Sequence, residues 1–124
     1  MRCGIDLAAP ARVGRWLDRY GDDALRLVFT AGELDRARAA ARPARVLTVC
    51  LAAKEAVGKA LGTGLSDVDW TDIEATVTGP TMAVRLAGAA AEVAASLGVH
   101  GWHASWSGGG PLVTVVVVAD TEES

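Results

Sequence analysis

The spacing of apolar residues changes partway along this chain, and that change constrains the fold more than any other feature. From Ala44 to Leu61, apolar residues fall at positions 46, 49, 50, 53, 57, 60 and 61, the spacing of one face of an α-helix. Further along, "DIEATV" and "TMAVRL" alternate apolar and polar residues, as half-buried strands do. We therefore predict an α+β fold in which helices pack on one side of a small, largely antiparallel sheet.

The N-terminal half predicts one strand and several helices. "RCGIDL" is a strand candidate that ends at Asp6, and Pro10 suits the first turn of a helix that runs to about Tyr20. "DDALRLVFT" predicts a short helical segment. Thr30 and Glu33 have the spacing of a capping box, in which each side chain satisfies a backbone N–H, so the next helix should begin there.

The C-terminal half predicts strands with one further helix. A turn at Gly79 and Pro80 joins the first two strands, and "AGAAAEVAASLG" is a helix closed by Gly98. "GWHASWS" alternates again, with the tryptophans on one face. After the "GGGP" turn, "LVTVVVVA" has the composition of a strand buried on both faces, and the last two strands should form a hairpin.

The length of 124 residues suits one domain, which we place at residues 1–119, with residues 120–124 as a frayed tail. The sequence has no internal repeat and no long linker. Alanine and valine supply much of the apolar content, whereas aromatic residues make up only 5%. Because such a core is thin for its length, we expect further burial against a partner subunit.

Charge and hydropathy exclude several classes of function. The net charge of −3 and the lack of a Lys/Arg block argue against a nucleic-acid partner. Asp6 and Pro10 interrupt the N-terminal apolar run, so it is not a secretory signal, and 112–119 is too short to span a membrane. Cys3 and Cys50 form neither a metal motif nor a disulfide framework, which predicts a cytoplasmic location.

Two charged residues of the long helix, Glu55 and Lys59, lie one turn apart on the face opposite its apolar stripe. One interpretation is a solvated i, i+4 ion pair, which contributes about 0.2–0.5 kcal/mol. The other is a functional site, because their neighbours Thr48, Ala52 and Gly58 are small and let a ligand approach the backbone. Gly58 inside a helix costs about 0.5–1 kcal/mol relative to alanine, so some other interaction must offset it.

Other polar residues also have two interpretations. Asp6 either caps the following helix or, together with a helix carboxylate, holds a hard cation through oxygen ligands. His103 has only His100 nearby, so no zinc set is available, and no serine has the context of a catalytic triad. The arginines of the first helix share one face that is either ordinary solvated surface or a binding surface; they are Arg12, Arg15 and Arg19.

Four segments occur together in a fixed order: "GIDL", "VFTAGEL", "LAAKEAVGKALGTGL" and "DIEATV". In this order the chain resembles the short holo-acyl-carrier-protein synthases, a class of 4′-phosphopantetheinyl transferases, over about residues 3 to 119. "GID" alone has no value as a motif, whereas "AAKEAxxKAxGTG" combined with it at this spacing is specific.

The resemblance implies a fold, a reaction and a set of site residues. These enzymes transfer the phosphopantetheine arm of coenzyme A to a serine of an acyl carrier protein of fatty acid or polyketide biosynthesis, and release 3′,5′-ADP. It implies a homotrimer with a cleft between neighbouring chains. Asp6 and Glu55 correspond to the Mg²⁺ ligands, and Lys59 lies near the diphosphate. The implied coenzyme A contacts are Lys54, Lys59, Gly62, Thr63, Gly64, Ser107 and Gly108, and the implied carrier-protein contacts are Arg12, Arg15 and Arg19.

The implied chemistry suits these residue types. Phosphoryl transfer needs alignment and charge neutralisation more than covalent catalysis. A Mg²⁺ held by one or two carboxylates and by diphosphate oxygens supplies both, and a lysine adds a mobile positive charge. The base that accepts the serine proton is either Glu55 or a water on the metal, and the sequence does not choose between them.

This chain departs from the family pattern at two places. Many members have arginine and phenylalanine before "AAKEA", where this chain has Cys50 and Leu51, and many read Ser-His-Thr where it has Ser107, Gly108 and Gly109. The replaced arginine and histidine belong to the family's phosphate- and nucleotide-contacting set. Two hypotheses follow: an active transferase with a reshaped nucleotide site, or a non-transferring relative that binds a carrier protein or an acyl thioester. We expect the first, because a binding module needs no metal pair.

Overall fold

The fold is a five-stranded antiparallel sheet with five helices, described by a computed structural model for residues 1–121. Its elements in chain order are β1 (Arg2–Ala8), α1 (Pro10–Arg19), α2 (Asp22–Leu25), α3 (Ala31–Arg38), α4 (Pro43–Leu61), a 3₁₀ turn (Trp70–Asp72), β2 (Ile73–Val77), β3 (Thr81–Leu86), α5 (Gly88–Ser96), β4 (Val99–Gly109) and β5 (Leu112–Thr121). The predicted α+β class and the order of elements are confirmed.

The strands are ordered β1-β5-β4-β3-β2, and every neighbouring pair is antiparallel. β1 pairs along its whole length with β5, from Arg2 opposite Ala119 to Ala8 opposite Val113. The predicted hairpins β2–β3 and β4–β5 are both present. One hydrophobic cluster joins the inner face of the sheet to the helices.

Helix α4 is the centre of the core. It packs on β1, β5 and β2, and α1 and α3 pack against it. Every residue from 47 to 61 is buried except Glu55, which is half-buried, and Lys59, which is exposed. The opposite face, which includes Thr48, Ala52 and Gly58, is therefore covered by protein. The interpretation of that face as ordinary solvated surface is wrong.

The other face of the sheet is open in the single chain. Side chains that alternate with the core positions of β1 and β5 point outward, and four large apolar ones are well exposed: Ile5 (53%), Leu7 (56%), Leu112 (44%) and Val116 (37%). The prediction that β5 is buried on both faces is therefore wrong for the isolated chain. Its buried residues are the alternate ones: Val113, Val115, Val117, Ala119 and Thr121.

The two ends of the described chain lie together. The N-terminal amine of Met1 donates to Oγ1 of Thr121 at 2.8 Å, and Thr121 is buried. β5 includes Asp120, so the expected fraying does not begin at residue 120, and residues 122–124 of the predicted tail lie outside the described part. Within residues 1–121, no helix is both long and apolar enough to cross a membrane.

Candidate active site

Two carboxylates from distant parts of the chain meet because β1 and α4 pack very closely. Alternation along β1 turns Gly4 and Asp6 toward α4. A Cβ at Gly4 would lie 2.0 Å from the backbone oxygen of Ala56, so only glycine permits this approach. The neighbouring residue of α4, Glu55, is thereby brought beside Asp6. The alternative role of Asp6 as a helix cap is wrong, since α1 begins after Ala9 without a side-chain cap.

Asp6 is buried and only half-satisfied. Its Oδ1 accepts a hydrogen bond from Nζ of Lys59 at 2.9 Å, and the same ammonium donates to the backbone oxygen of Ile5 at 2.9 Å. Its Oδ2 has no hydrogen-bond donor among the described residues. The adjacent group is the Glu55 carboxyl, which can donate to Asp6 only when it is protonated. The site therefore has unmet demand for a proton or a cation.

The pKa of Glu55 also indicates that the site favours a bound proton or cation. Burial, and after it the neighbouring Asp6 carboxylate, raise the pKa of Glu55 to about 7 from an ordinary value of 4.5. Arg12 of α1 and Lys59 act in the opposite direction. In the metal-free protein Glu55 therefore keeps its proton up to about neutral pH.

These residues fit a divalent cation of the magnesium type. No group of three or more His, Cys, Asp or Glu side chains with metal-site geometry occurs within residues 1–121, so a metal cage made only of protein groups is not formed there. Two carboxylates are nevertheless a sufficient protein share for Mg²⁺, which usually takes its other ligands from water and substrate phosphates. A cation beside Asp6 Oδ2 and Glu55 would remove the repulsion that raises the Glu55 pKa.

A cleft of about 310 Å³ opens beside the carboxylates, lined by Glu55, Lys59, Gly64, Leu65 and Trp70. The loop after α4 forms one wall. Gly62 ends α4 at φ +79°, and Gly64 donates its backbone N–H to the oxygen of Gly58 at 3.0 Å.

This loop contact explains the glycine inside α4. A Cβ at Gly58 would lie 2.7 Å from the Gly64 oxygen, so the group that approaches the helix there is the chain's own loop. Of the three predicted loop contacts, Gly62, Thr63 and Gly64, the structure places Gly64 in the wall of the cleft with Glu55.

Lys54 does not belong to this group, contrary to its predicted contact with coenzyme A. It is fully buried and forms an ion pair with Glu33 at 2.7 Å. It also donates to the backbone oxygens of Trp70 (3.0 Å) and Ile73. An ammonium has three N–H donors, and all three are used inside the protein. We correct the prediction: Lys54 joins α3, α4 and β2 and has no donor free for a phosphate.

Glu33 is a buried charge that sequence reasoning recognised only as a cap. The predicted capping box with Thr30 is confirmed at both hydrogen bonds. The second carboxylate oxygen, however, accepts the backbone N–H of Ala75 at 2.9 Å, and Lys54 contacts the first. The spacing of Thr30 and Glu33 was a signal for the helix start but not for the ion pair. Trp70 of the cleft had no sequence signal, and Leu65 had none beyond its place at the end of the motif after the long helix.

Ser107 and Gly108 lie at the opposite end of α4 from the carboxylates. They occupy the end of β4, where Gly108 pairs with Val113, so the glycine run continues the ladder before it turns. Gly108 is close to Arg45 in the first turn of α4. Arg45 and Glu55 are separated by about 15 Å along the axis of the helix. The predicted coenzyme A contacts therefore form two groups within one chain.

Cys50 lies in the interior. Its Sγ is 3.7 Å from the backbone oxygen of Ala75, and only 1% of the residue is exposed. Burial, and after it the Glu33 carboxylate, raise the pKa of this thiol, so it is neutral and unreactive. The side chain of Cys50 thus packs from α4 against β2.

The three arginines of α1 share an exposed face, as predicted. The guanidinium of Arg12 lies 5.0 Å from the ring centre of Trp16, and Arg12 is also the one that acts on the pKa of Glu55. The face is thus positive in charge, and its Arg12 end lies near Glu55.

Comparisons with known proteins agree along nearly the whole chain. Residues 2–116 match the family model described as the 4′-phosphopantetheinyl transferase superfamily. The holo-[acyl-carrier-protein] synthase of Frankia casuarinae is 40% identical over 119 residues, which cover 95% of each chain.

Solved structures agree as well. The holo-[acyl-carrier-protein] synthase of Neisseria meningitidis superposes with a TM-score of 0.83 at 25% identity, over 97% of this chain and 98% of that one. A Chronobacterium ammoniagenes ACPS-CoA complex superposes with a TM-score of 0.78 at 25% identity, over 97% and 96% of the two chains. The likeness therefore extends over the whole fold.

Proposed function

The chain belongs to the 4′-phosphopantetheinyl transferase superfamily, and on that premise we propose that it transfers the phosphopantetheine arm of coenzyme A to a serine hydroxyl of an acyl carrier protein, releasing 3′,5′-ADP. One observation carries the proposal. Two carboxylates and a lysine, Asp6, Glu55 and Lys59, come together at a cleft although they derive from β1 and α4. A domain that only bound a carrier protein would not need the two carboxylates of Asp6 and Glu55 side by side, where they repel each other.

The carboxylates and the lysine have different roles in the proposed reaction. When bound by Asp6 and Glu55, Mg²⁺ would neutralise the diphosphate and orient it for displacement. Lys59 is anchored by Asp6 and the Ile5 oxygen, and its exposed ammonium has a third donor free for a diphosphate oxygen. The glycines of the 62–64 loop let phosphate groups approach the backbone. Alignment and neutralisation are the main requirements of phosphoryl transfer.

We infer that the acyl carrier protein binds the arginine face of α1, because Arg12, Arg15 and Arg19 are exposed there and Arg12 is near enough to Glu55 to act on its pKa. Arg12→Glu should weaken carrier-protein binding about 10-fold or more, since it replaces an attractive charge by a repulsive one. Binding of coenzyme A should change much less. Titrations of both ligands test this, and equal losses for the two would contradict it. Arg26→Ala, at an exposed arginine of the following segment, is the control.

We further propose that the working form is a homotrimer. The open sheet face of Ile5, Leu7, Leu112 and Val116 supports burial against other copies. The separation of the two predicted coenzyme A groups along α4 supports a site completed by a neighbouring chain. Both cysteines of the described chain are free thiols, which suits a reducing compartment such as the cytoplasm.

A mass-spectrometric assay tests the reaction directly. The purified protein is incubated with Mg²⁺, coenzyme A and several apo carrier proteins, and intact masses are followed. We expect addition of the phosphopantetheine arm, lost in Asp6→Asn and Glu55→Gln but kept in Glu92→Gln, an exposed carboxylate of α5. A folded protein that modifies no carrier at saturating coenzyme A would overturn the proposal and favour the non-transferring alternative.

A further inference from the structure

The C-terminal end of α4 is held by hydrogen bonds from groups outside the helix. Carbonyl oxygens in the last turn of a helix have no partner within it, so other donors must satisfy them. The backbone N–H of Gly62 donates to the oxygen of Lys59 at 3.1 Å. The N–H of Gly64 would reach the oxygen of Ala60 if the helix continued, but it donates to that of Gly58 instead. The Ala60 oxygen therefore needs a donor from elsewhere.

Arg2 of β1 supplies that donor. Its Nε donates to the Ala60 oxygen at 2.6 Å, from the other end of the chain. Its Nη2 lies against the turn that follows, where a Cβ at Gly62 would be 3.1 Å from it. A guanidinium at this end of a helix also interacts favourably with the helix dipole. One side chain thus satisfies the end of α4 and contacts the first glycine of the cleft loop.

This contact is one of three that alternate residues of β1 make with α4. Gly4 lies against the backbone of Ala56, and Asp6 accepts a hydrogen bond from Nζ of Lys59. Arg2 is the third and the furthest from the carboxylates. Because a strand rises about 3.3 Å per residue, Arg2 and Asp6 are about 13 Å apart along β1. Arg2 therefore reaches the end of the helix and not the reacting groups.

The last turn of α4 and the loop after it carry two groups of the cleft. Lys59 belongs to this turn, and its ammonium is 2.9 Å from the Asp6 carboxylate. Gly64 forms part of the cleft wall and is bonded back to the helix at Gly58. A shift of the turn that Arg2 holds would therefore move both Lys59 and Gly64 relative to the carboxylates.

We propose that Arg2 is a positioning residue for the transfer reaction. It fixes the last turn of α4 and, through that turn, holds Lys59 and Gly64 in place for the diphosphate. Phosphoryl transfer depends mainly on alignment, and a misplacement of about 1 Å can cost about 100-fold in rate. This inference rests on the proposed function, since it assigns a residue that orients the groups of that same site.

Transfer kinetics test this role, with any affinity tag placed at the C-terminus. Arg2→Met keeps an apolar stem but removes the donor and the charge, so kcat/KM for coenzyme A should fall about 10-fold. The KM for the carrier protein should stay nearly unchanged, because the arginine face of α1 is intact. Arg2→Lys keeps a cation and a donor and should recover most of the loss. The matched control is Thr121→Val, which removes the bond from the Met1 amine at the start of the same strand and should leave the coenzyme A kinetics unchanged.

Amide hydrogen exchange separates this inference from the transfer reaction. In Arg2→Met, peptides that cover residues 59–65 should exchange about 10-fold faster than in wild type, whereas those of α5 should not change. Thr121→Val should leave the exchange of residues 59–65 as it is in wild type. These results are expected whether or not any carrier protein is modified. Unchanged exchange of residues 59–65 in Arg2→Met would overturn the proposal. Wild-type kinetics in Arg2→Met, or equal kinetic losses in Arg2→Met and Thr121→Val, would overturn it as well.

Discussion

At the scale of single residues, the environment of a side chain decides its role more than its type does. Lys54 and Lys59 are five residues apart on the same helix, yet one is sealed in the core and the other is 55% exposed at the cleft. Helical spacing could place Glu55 and Lys59 on one face. It could not show that β1 covers the adjacent face and turns a surface ion pair into part of a carboxylate site.

Glu55 should make the metal-free protein less stable as the pH rises. Its folded-state pKa of about 7 exceeds the ordinary 4.5, so the folded state binds more protons than the unfolded state between these values. The stability from the protonated form is present below pH 4.5 and is lost by pH 7. In chelator, the Tm of Glu55→Gln relative to wild type should therefore be higher by a few degrees at pH 8 than at pH 5.

The matched control for this measurement is Glu92→Gln, whose difference from wild type should not change between the two pH values. Added Mg²⁺ should raise the Tm of wild type at pH 8 but not that of Glu55→Gln. Identical pH dependence of the Tm in wild type and Glu55→Gln would show that the pKa of Glu55 is not raised in the folded protein.

At the scale of elements, a few close contacts fix how strands and helices sit on one another. Periodicity identified the helices and both hairpins, because those signals are local. It could not identify the pairing of β1 with β5 or the ion pair between α3 and α4, since such contacts join distant segments. The glycine of the motif "GID" is an example. Only its contact with α4, which lies too far along the chain for a local pattern, explains why residue 4 is glycine.

Gly4→Ala should destabilise the protein by more than about 3 kcal/mol, because the new Cβ would overlap the Ala56 carbonyl and neither backbone can move independently. Urea unfolding measures the loss. Gly21→Ala is the control: nothing lies within 4 Å of its Cβ position, so its effect should stay within about 0.5 kcal/mol. Comparable effects of the two substitutions would mean that β1 and α4 are less tightly apposed than described.

Lys54→Met should cost about 3–5 kcal/mol, because it leaves the Glu33 carboxylate buried without its cation. The double variant Glu33→Gln with Lys54→Met should recover part of this loss. Arg85→Ala removes an exposed partner of Glu74 and should cost less than about 1 kcal/mol. The KM for coenzyme A should not change in folded Lys54→Met; a large increase would restore Lys54 to the ligand-binding set.

At the scale of the whole molecule, the single chain is incomplete on one side. Sequence composition predicted a thin core and burial against a partner, and the open sheet face is where that burial is available. The identity and number of partners depend on surface shape, which no local pattern encodes. The resemblance supplied the expected trimer, and the exposed apolar residues of β1 and β5 give that expectation a physical location.

Val116→Asp should dissociate the assembly, because it puts a charge in the middle of the apolar sheet face. Light scattering should give about three times the 12.8 kDa of one chain for wild type and a smaller mass for the variant, with transfer activity reduced in parallel. Ala89→Asp, at an exposed site in the first turn of α5, should leave the mass unchanged. A wild-type protein that is monomeric yet fully active would contradict the trimer.

The pairing of β1 with β5 also has a consequence for biosynthesis. Asp6 lies opposite Val115, so this carboxylate is held in position only when residues from the C-terminal part of the chain have joined the sheet. During translation the long α4 can form early, but the Asp6 side of the site must wait until β5 has left the ribosome. A nascent or truncated chain without β5 therefore lacks the ladder that holds β1, and Asp6 with it, in the sheet.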